Sequence, residues 1–508
     1  MSFYVTTPIY YVNAAPHLGH AYTTIAADVM ARHHRQRGED VFFLTGTDEH
    51  GEPVADAAHA LGIEPQELAD RNAERFKALA PQLHASNDFF IRTTDPQHEA
   101  VVKEVLSRVR DNGHVYEGTY EGWYCPRCAD FKAENEIDED RRCPIHHIEL
   151  TREQEDNYFF ALSAFQERLE TLYAEREDFV VPRTRYNEAL SFIRSGLRDV
   201  PLTRHKLTWG VQVPWDPEHV FYVWFDALLN YYSALSYAPA PPGVQLGEGG
   251  LTERFWPADY HLIGKDILRF HAVYWPALLM AAEIELPEHV FVHGFLLMDG
   301  EKMSKSLGNV LDPFAVIERY GPDALRFYLL RDVPFGQDGS VSTAAFELRY
   351  ESELANELGN LASRTIAMVH RYRDGVPPLV ALDAELENEF AGLAEEVRAM
   401  IDRAELTGAL EAIWQRVRRL NRYVEERAPW QLAKDDARAG ELDRVLSTLI
   451  AGLRVVAVLL HPYMPASTDR LLSALSSNDR SLAGARWDST QSLGAPIGQL
   501  ESLFPKSS

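Results

Sequence analysis

SFYVTTPIYYVNAAPHLGHAYTTIAADVMARHHRQRGEDVFFLTG, Ser2 to Gly46, holds four segments in a telling order. The β-branched and aromatic run SFYVTT, residues 2–7, reads as a strand. A loop holding Pro8, Asn13 and Pro16 follows, and HAYTTIAADVMARHHRQRG then reads as a helix that Gly38 stops. DVFFLTG, Asp40 to Gly46, is apolar on successive residues, as a strand covered on both faces requires. Strand, loop, helix and buried strand are the opening of a parallel α/β sheet. In such sheets ligands bind beyond the carboxyl ends of the strands, where PHLGH (Pro16 to His20) falls. The helix N-terminus there offers free N–H groups and partial positive charge, which suit phosphate. Pro16 opens the turn and Gly19 permits close approach of a ligand. His17 and His20, three apart, share one face of the first helical turn and can donate to phosphate oxygens.

The α/β pattern breaks near residue 115. It resumes with EHVFYVWFDALLNYY, with DYHLIG (259–264), with a helix from Ile267 to Ala282 and with HVFVHGF (289–295). From about 346 the apolar spacing is helical. The expected architecture is α/β: a Rossmann-type parallel-sheet catalytic domain split by a zinc-binding insertion, followed by an α-helical bundle. The expected boundaries are 1–114 and 220–300 for the two halves of the sheet domain, 115–219 for the insertion, 301–345 for a loop and connector, and 346–508 for the helical domain. A length of 508 residues demands several cores of this kind.

A second phosphate-handling loop follows the last expected sheet strand. EKMSKSLGN, Glu301 to Asn309, carries Lys302 and Lys305, although only nine of the 50 basic residues are lysine. Lysine is a compact charge on a flexible stem, whereas arginine is a planar fork. A loop that must swing onto a triphosphate and off again is served by lysine. Its place after HVFVHGFLLMDG puts it on the same sheet edge as PHLGH.

All three cysteines lie in the insertion. WYCPRC spaces Cys125 and Cys128 two residues apart, and RRCPIHH gives Cys143 and His146 the same spacing. That is the ligand set of a Cys3His zinc site, and four protein ligands make a closed, structural shell. His147 is the alternative fourth ligand, but the matched spacing favours His146. Three cysteines exclude a disulfide framework.

Composition narrows the rest. A chain that is 46% hydrophobic and 25% charged is of the soluble globular class. The N-terminus lacks a basic start and a small-residue cleavage site, so no secretory leader and a cytoplasmic location are expected. The apolar run Leu446 to Pro465 contains Arg454 and Pro462, which suits a buried helix and not a membrane span. A net charge of −26 argues against a nucleic-acid partner over the whole surface, but phosphate contacts are local.

PHLGH and KMSKS together resemble the two signature motifs of the class I aminoacyl-tRNA synthetases, with Leu18 in place of the isoleucine of the first. TTPIYYVNAAPHLGH, FFLTGTDEHG, VFYVWFDALLNYYSAL, GKDILRFHAVYWPALL, NELGNLASRT and ERAPW resemble segments of the methionyl-tRNA synthetase family, from the start to about residue 470. The resemblance implies conversion of L-methionine and ATP to methionyl-adenylate, then transfer to tRNA(Met), including the initiator. It implies His17, His20, Lys302 and Lys305 as the catalytic groups. ATP would meet Pro16, Gly19, Gly264, Lys265, Asp266 and Lys305. Asp48 would take the substrate ammonium. Ile9, Tyr11, Trp224, Ala227, Tyr231, Ile267, Phe270, His271 and Trp275 would surround the thioether, which gains from aromatic contact.

In the helical domain the resemblance assigns Asn360, Arg364 and Trp430 to the anticodon, with Arg416, Arg418, Arg419 and Arg422 as a local positive face. One structural Zn2+, Mg2+ with ATP, no membrane partner and a monomer are implied. Synthetases for isoleucine, valine and leucine carry a larger editing insertion, and cysteinyl enzymes place zinc beside the active site. A non-catalytic RNA-binding relative could dispense with the phosphate loops, and both are intact here.

Overall fold

The first strand, β1, runs from Ser2 to Tyr11, beyond the Thr7 expected from composition. Pro8 is therefore inside a central strand. It is accommodated because the register with the next strand, β2 (Asp40–Asp48), shifts between Thr6 and Ile9. A bulge is where a residue without an N–H can sit in a sheet. The structure is a computed structural model that describes every residue except 14, 126–129, 133–136, 138–139, 145–146, 206, 299–310, 488–491 and 507–508.

Six parallel strands form the main sheet, in the order Phe89–Arg92, β2, β1, Tyr260–Gly264, His289–His293, Val180–Val181. The chain proceeds from β1 to one side and later returns to the other, so the switch point lies between β1 and Tyr260–Gly264. Those two strands pair only at Val5↔Tyr260 and Thr6↔His261. Beyond Thr6, β1 follows β2 alone, whereas Tyr260–Gly264 stays with its other neighbour as far as Gly264↔His293. The bulge at Pro8 thus opens a crevice at the carboxyl edge. Helix α1, Leu18–Gln36, packs on β1 and β2 and ends at Gly38 in a left-handed conformation (φ 76°) that glycine adopts without strain.

The insertion contains a four-stranded antiparallel sheet in the order Asp130–Lys132, Val115–Cys125, Thr151–Phe160, Val200–Pro201. It does not occupy all of 115–219 as one module. Val180–Val181, between helices Gln166–Glu175 and Arg183–Arg194, returns to the main sheet as its edge strand. Two residues are too few to leave a periodic signal in the sequence.

The helical domain is built on Asn360–Arg373, Leu406–Arg427 and Ala439–Leu460. The last carries the apolar run noted above and is buried nearly all round. Arg454 within it is fully buried, and its guanidinium donates to the carbonyls of Gly484 and Arg486. No helix among the described residues is long and apolar enough to cross a membrane. Residues 471–508, nearly silent as sequence, bury Trp487, Leu493, Ile497, Leu503 and Phe504. Gly494 N–H donates to the Pro377 carbonyl and Ile497 N–H to that of Gly375. One continuous apolar cluster joins α1 to the helical domain and to this tail.

Candidate active site

The α1 N-terminus is capped by its own histidines. His17 Nδ1 accepts from Gly19 N–H (3.1 Å), and His20 Nδ1 accepts from His17 N–H (3.0 Å). This is a capping box made of two imidazoles in place of the usual hydroxyl and carboxylate. Because each Nδ1 accepts, each ring carries its proton on Nε2. The rings stack with centroids 3.8 Å apart, and Tyr10 and Phe76 hold His20 at 4.6 and 5.0 Å. Burial lowers the pKa of both histidines, with the neighbouring ring adding to the effect on His20. The pair therefore offers two neutral Nε2–H donors of fixed direction. A Cβ on Gly19 would stand 3.1 Å from the His17 ring, so any larger residue there would push on the ring that makes this cap.

Asp48, at the end of β2, is in register with Tyr11 and is buried. Its Oδ1 is buried with no hydrogen-bond partner. Burial, then the charges of Asp226 and Glu49, raise its pKa well above the ordinary carboxylate range, against the His50 backbone N–H. The neighbouring Glu49 and His50 are fully engaged. Glu49 receives Arg92 through both carboxylate oxygens at 2.7 Å, together with the hydroxyls of Thr47 and Thr94. His50 binds Asp226 at 2.6 Å. A buried carboxylate oxygen without a donor is costly unless a cationic ligand supplies one.

The sequence-assigned pocket residues converge beside it. Trp224 and Phe270 stack at 3.7 Å with planes 7° apart, and Tyr11 meets Trp224 edge-on at 6.1 Å. Tyr231 O–H donates to His271 Nε2 (2.7 Å), while His271 Nδ1–H donates to the Ile267 carbonyl (3.1 Å). Burial holds the His271 pKa down at about 4, so this ring is neutral. Ile9, Tyr11 and Ile267 are partly buried against the same apolar cluster, and Ala227 is buried on the helix that carries Trp224. Trp275 stands further in: it is wholly buried, packs edge-on to Tyr231 at 6.0 Å and donates its indole N–H to His261 Nε2 (3.2 Å). His261 then donates from Nδ1 to Thr6 Oγ1 (2.8 Å). His261, His50, His98 and Asp226 were not singled out from the sequence. The only signal was ionisable residues set among otherwise apolar ones.

Gly264 ends the strand on the other side of the switch point, and Lys265 and Asp266 follow it. Lys265 Nζ pairs with Asp338 (2.6 Å) and lies 4.5 Å over the Phe295 ring, while Asp266 is exposed. His293, at the end of its strand, accepts from the Thr23 hydroxyl of α1 (2.7 Å) and donates from Nδ1 to the Gly294 carbonyl. The segment that leads to Lys302 and Lys305 therefore leaves the sheet beside α1. Lys302 and Lys305 themselves lie outside the described residues.

In the helical domain Arg364 and Trp430, far apart in sequence, meet with the guanidinium 5.5 Å from the ring centroid. Asn360 is exposed one turn away on the same helix. Both Arg364 Nη atoms donate to Glu425 Oε1 at 3.0 Å. The expected positive face of Arg416, Arg418, Arg419 and Arg422 is corrected. Arg418 is bound by Glu353, Glu357 and Glu411, buried Arg419 by Glu385, Glu389 and Glu426, and Arg416 donates to the Glu389 carbonyl. Those charges bind helices together, and Arg422 alone of the four remains exposed with no ion pair among the described residues.

Of the expected zinc ligands, Cys128 and His146 lie outside the described residues. Cys125 and Cys143 are fully buried in one small cluster with Leu150, Trp123, Ile137 and Ile148. Cys143 N–H donates to the Ile148 carbonyl and Cys143 O accepts from His147 N–H, a tight turn that suits a thiolate knuckle. Two thiols, one at a strand end and one in a turn, gathered in one cluster fit the zinc assignment.

Comparison with known proteins agrees with this geometry. Residues 3–155 and 139–366 match the family of tRNA synthetases class I (M), and residues 378–506 match the anticodon binding domain of methionyl tRNA ligase. The class I aminoacyl-tRNA synthetases are thus the class that fold and cleft define. The methionine–tRNA ligase of Caldanaerobacter subterraneus subsp. tengcongensis is 43% identical over 99% of this chain and 79% of its own length. That of Synechocystis is 44% identical over 98% and 92%. The Mycobacterium tuberculosis methionyl-tRNA synthetase bound by methionyl-adenylate superposes with a TM-score of 0.93 at 44% identity, covering 99% of this chain and 100% of that one. The chain belongs to the methionine–tRNA ligase family.

Proposed function

We propose that this chain joins L-methionine to ATP in the cleft and passes the methionyl group to tRNA(Met), including the initiator. The observation that carries this reading is the buried Asp48 carboxylate, one oxygen without a donor, in register with the strand that leads into the paired imidazoles. Asp48 receives the methionine ammonium. Ile9, Tyr11, Trp224, Ala227, Tyr231, Ile267, Phe270 and His271 enclose the thioether, with Trp275 behind them.

A methionine carboxylate oxygen then bonds to the α-phosphorus, and the bond from that phosphorus to the pyrophosphate oxygen breaks. No enzyme nucleophile is needed, so catalysis consists of positioning and charge stabilisation. His17 and His20 donate from Nε2 to phosphate oxygens. Lys302 and Lys305 neutralise the departing pyrophosphate, and Pro16, Gly19, Gly264, Lys265 and Asp266 frame the nucleotide. Magnesium, bound with ATP, supplies further positive charge on the phosphates. Zinc held by Cys125, Cys128, Cys143 and His146 supplies cross-linking of the insertion. We assign the protein to the cytoplasm as a monomer.

Pyrophosphate exchange tests the reading. With a panel of amino acids, methionine is expected to support exchange, while isoleucine, leucine, valine and cysteine support little. Exchange driven equally by another amino acid, or by none, overturns it. Asn360, Arg364 and Trp430 read the anticodon, where splayed bases meet amide, guanidinium and ring. Trp430→Ala is expected to lower kcat/KM for aminoacylation by roughly ten- to a hundredfold, the worth of one stacked base, and to leave exchange unchanged. Equal loss in both assays would defeat the assignment.

A further inference from the structure

One buried carboxylate takes no part in these steps. Asp226 is wholly buried on the short helix Val223–Leu228, between Trp224 and Ala227 of the methionine pocket. Its Oδ2 accepts from His50 Nδ1–H at 2.6 Å, and its Oδ1 meets His98 Nε2 at 2.7 Å. His98 Nδ1 reaches Ser233 Oγ (2.7 Å) on the next helix, Asn230–Tyr237, which also carries Tyr231. His50 lies two residues along the chain from Asp48, and its ring serves Asp226. The pair His50–Asp226 therefore ties the segment that carries the group taking the substrate ammonium to the helix that forms the aromatic wall.

A buried charge pair is often no more stabilising than apolar residues of the same volume, and its attested use is to fix one arrangement against others. Nothing else in the network touches the phosphate side: both Asp226 oxygens and both ring nitrogens of His98 are spent within it. What a carboxylate at 226 does, and an apolar side chain would not, is to hold the His50 ring and with it the separation between Asp48 and Trp224. For an amino acid gripped at its ammonium and at its side chain, that separation sets the side-chain length accepted.

We propose that Asp226, through His50, is the positioning residue of the amino-acid subsite and sets its selectivity for side-chain length. The inference rests on the reading of this cleft as a methionine subsite. Asp226→Ala is expected to raise KM for methionine on the order of ten- to a hundredfold, while KM for ATP stays within about twofold. Its preference for methionine over norleucine and homocysteine should fall with it. Asp226→Asn keeps an acceptor oxygen for His50 in the same volume and is expected to restore most of the affinity. Steady-state exchange kinetics with each substrate varied, and thermal unfolding of each variant, separate the effects. Should Asp226→Ala fail to fold, His50→Gln against His50→Ala reads the same split, with the glutamine retaining a donor.

A rise in both KM values together, a change confined to kcat and Tm, or an Asp226→Asn variant no better than alanine would overturn the proposal. Wild-type protein that shows no methionine-dependent exchange defeats the methionine reading itself. Normal wild-type exchange with an unaltered methionine KM in Asp226→Ala defeats only this inference.

Discussion

Asp48→Ala is expected to reduce kcat/KM for methionine in pyrophosphate exchange by on the order of a thousandfold, with KM for ATP unchanged. The carboxylate is buried at 2% exposure, and its Oδ1 has no hydrogen-bond partner among the described residues. Glu49 is saturated by Arg92 and two hydroxyls, and Asp226 by two histidines. Truncation leaves a buried ammonium unpaired, and the penalty of that charge, more than the lost contact, sets the size of the effect. Asp48→Asn should fall between, because an amide oxygen can accept but carries no charge. The same substitution removes a carboxylate whose ionisation is disfavoured in the empty protein, so Asp48→Asn is expected to keep or raise Tm. Loss of exchange accompanied by a large fall in Tm would assign Asp48 to the fold and not to the substrate.

His20→Ala is the second large effect. The His20 Nε2–H is a neutral donor held in direction by its own Nδ1, by the His17 ring and by Tyr10 and Phe76. Removing one such donor from a developing anion costs about 3 kcal/mol, or roughly a hundredfold or more in kcat for adenylate formation. The substitution also opens half of the capping box, so part of the loss passes through His17, whose backbone N–H would lose its acceptor. His20→Gln should recover part of the rate, since glutamine at this helix position caps in the same way and retains a donor. The pH dependence distinguishes this from a charged histidine. Burial lowers the pKa of both His17 and His20, so both already lack the extra proton at neutral pH. The wild-type rate should therefore not decline as pH rises through the ordinary histidine range near 6.5. A single-turnover profile that falls on that limb would show that imidazolium is the working form, and the tautomer argument would fail.

Much of this cleft was legible before any coordinates. Strand, turn, helix and strand between Ser2 and Gly46 are local facts of spacing, and PHLGH marks itself by two histidines at a helix start. The aromatic residues from Trp224 to Trp275 could be named from resemblance, and the cysteine spacing from ligand chemistry. Three things were not legible. Pro8 gave the wrong end to β1, because a proline ends most central strands and only the register shift against β2 permits this one. The basic helix Leu406–Arg427 looked like an electrostatic face, because the glutamates that neutralise it lie elsewhere in the chain. The tail after residue 471 has little periodicity of its own and is ordered by the groove that it fills.

The sequence by itself determined the elements, their order and the chemistry available at each end of the sheet, because propensity, capping and ligand spacing act over a few residues. Only the tertiary structure decided which charges are spent and which are kept. Glu49 and Asp226 are consumed by partners 43 and 176 residues away in the chain, while Asp48 is left with an unsatisfied oxygen. Neighbours along a strand share their sequence context but not their burial or their partners, and a carboxylate's function is set by those two.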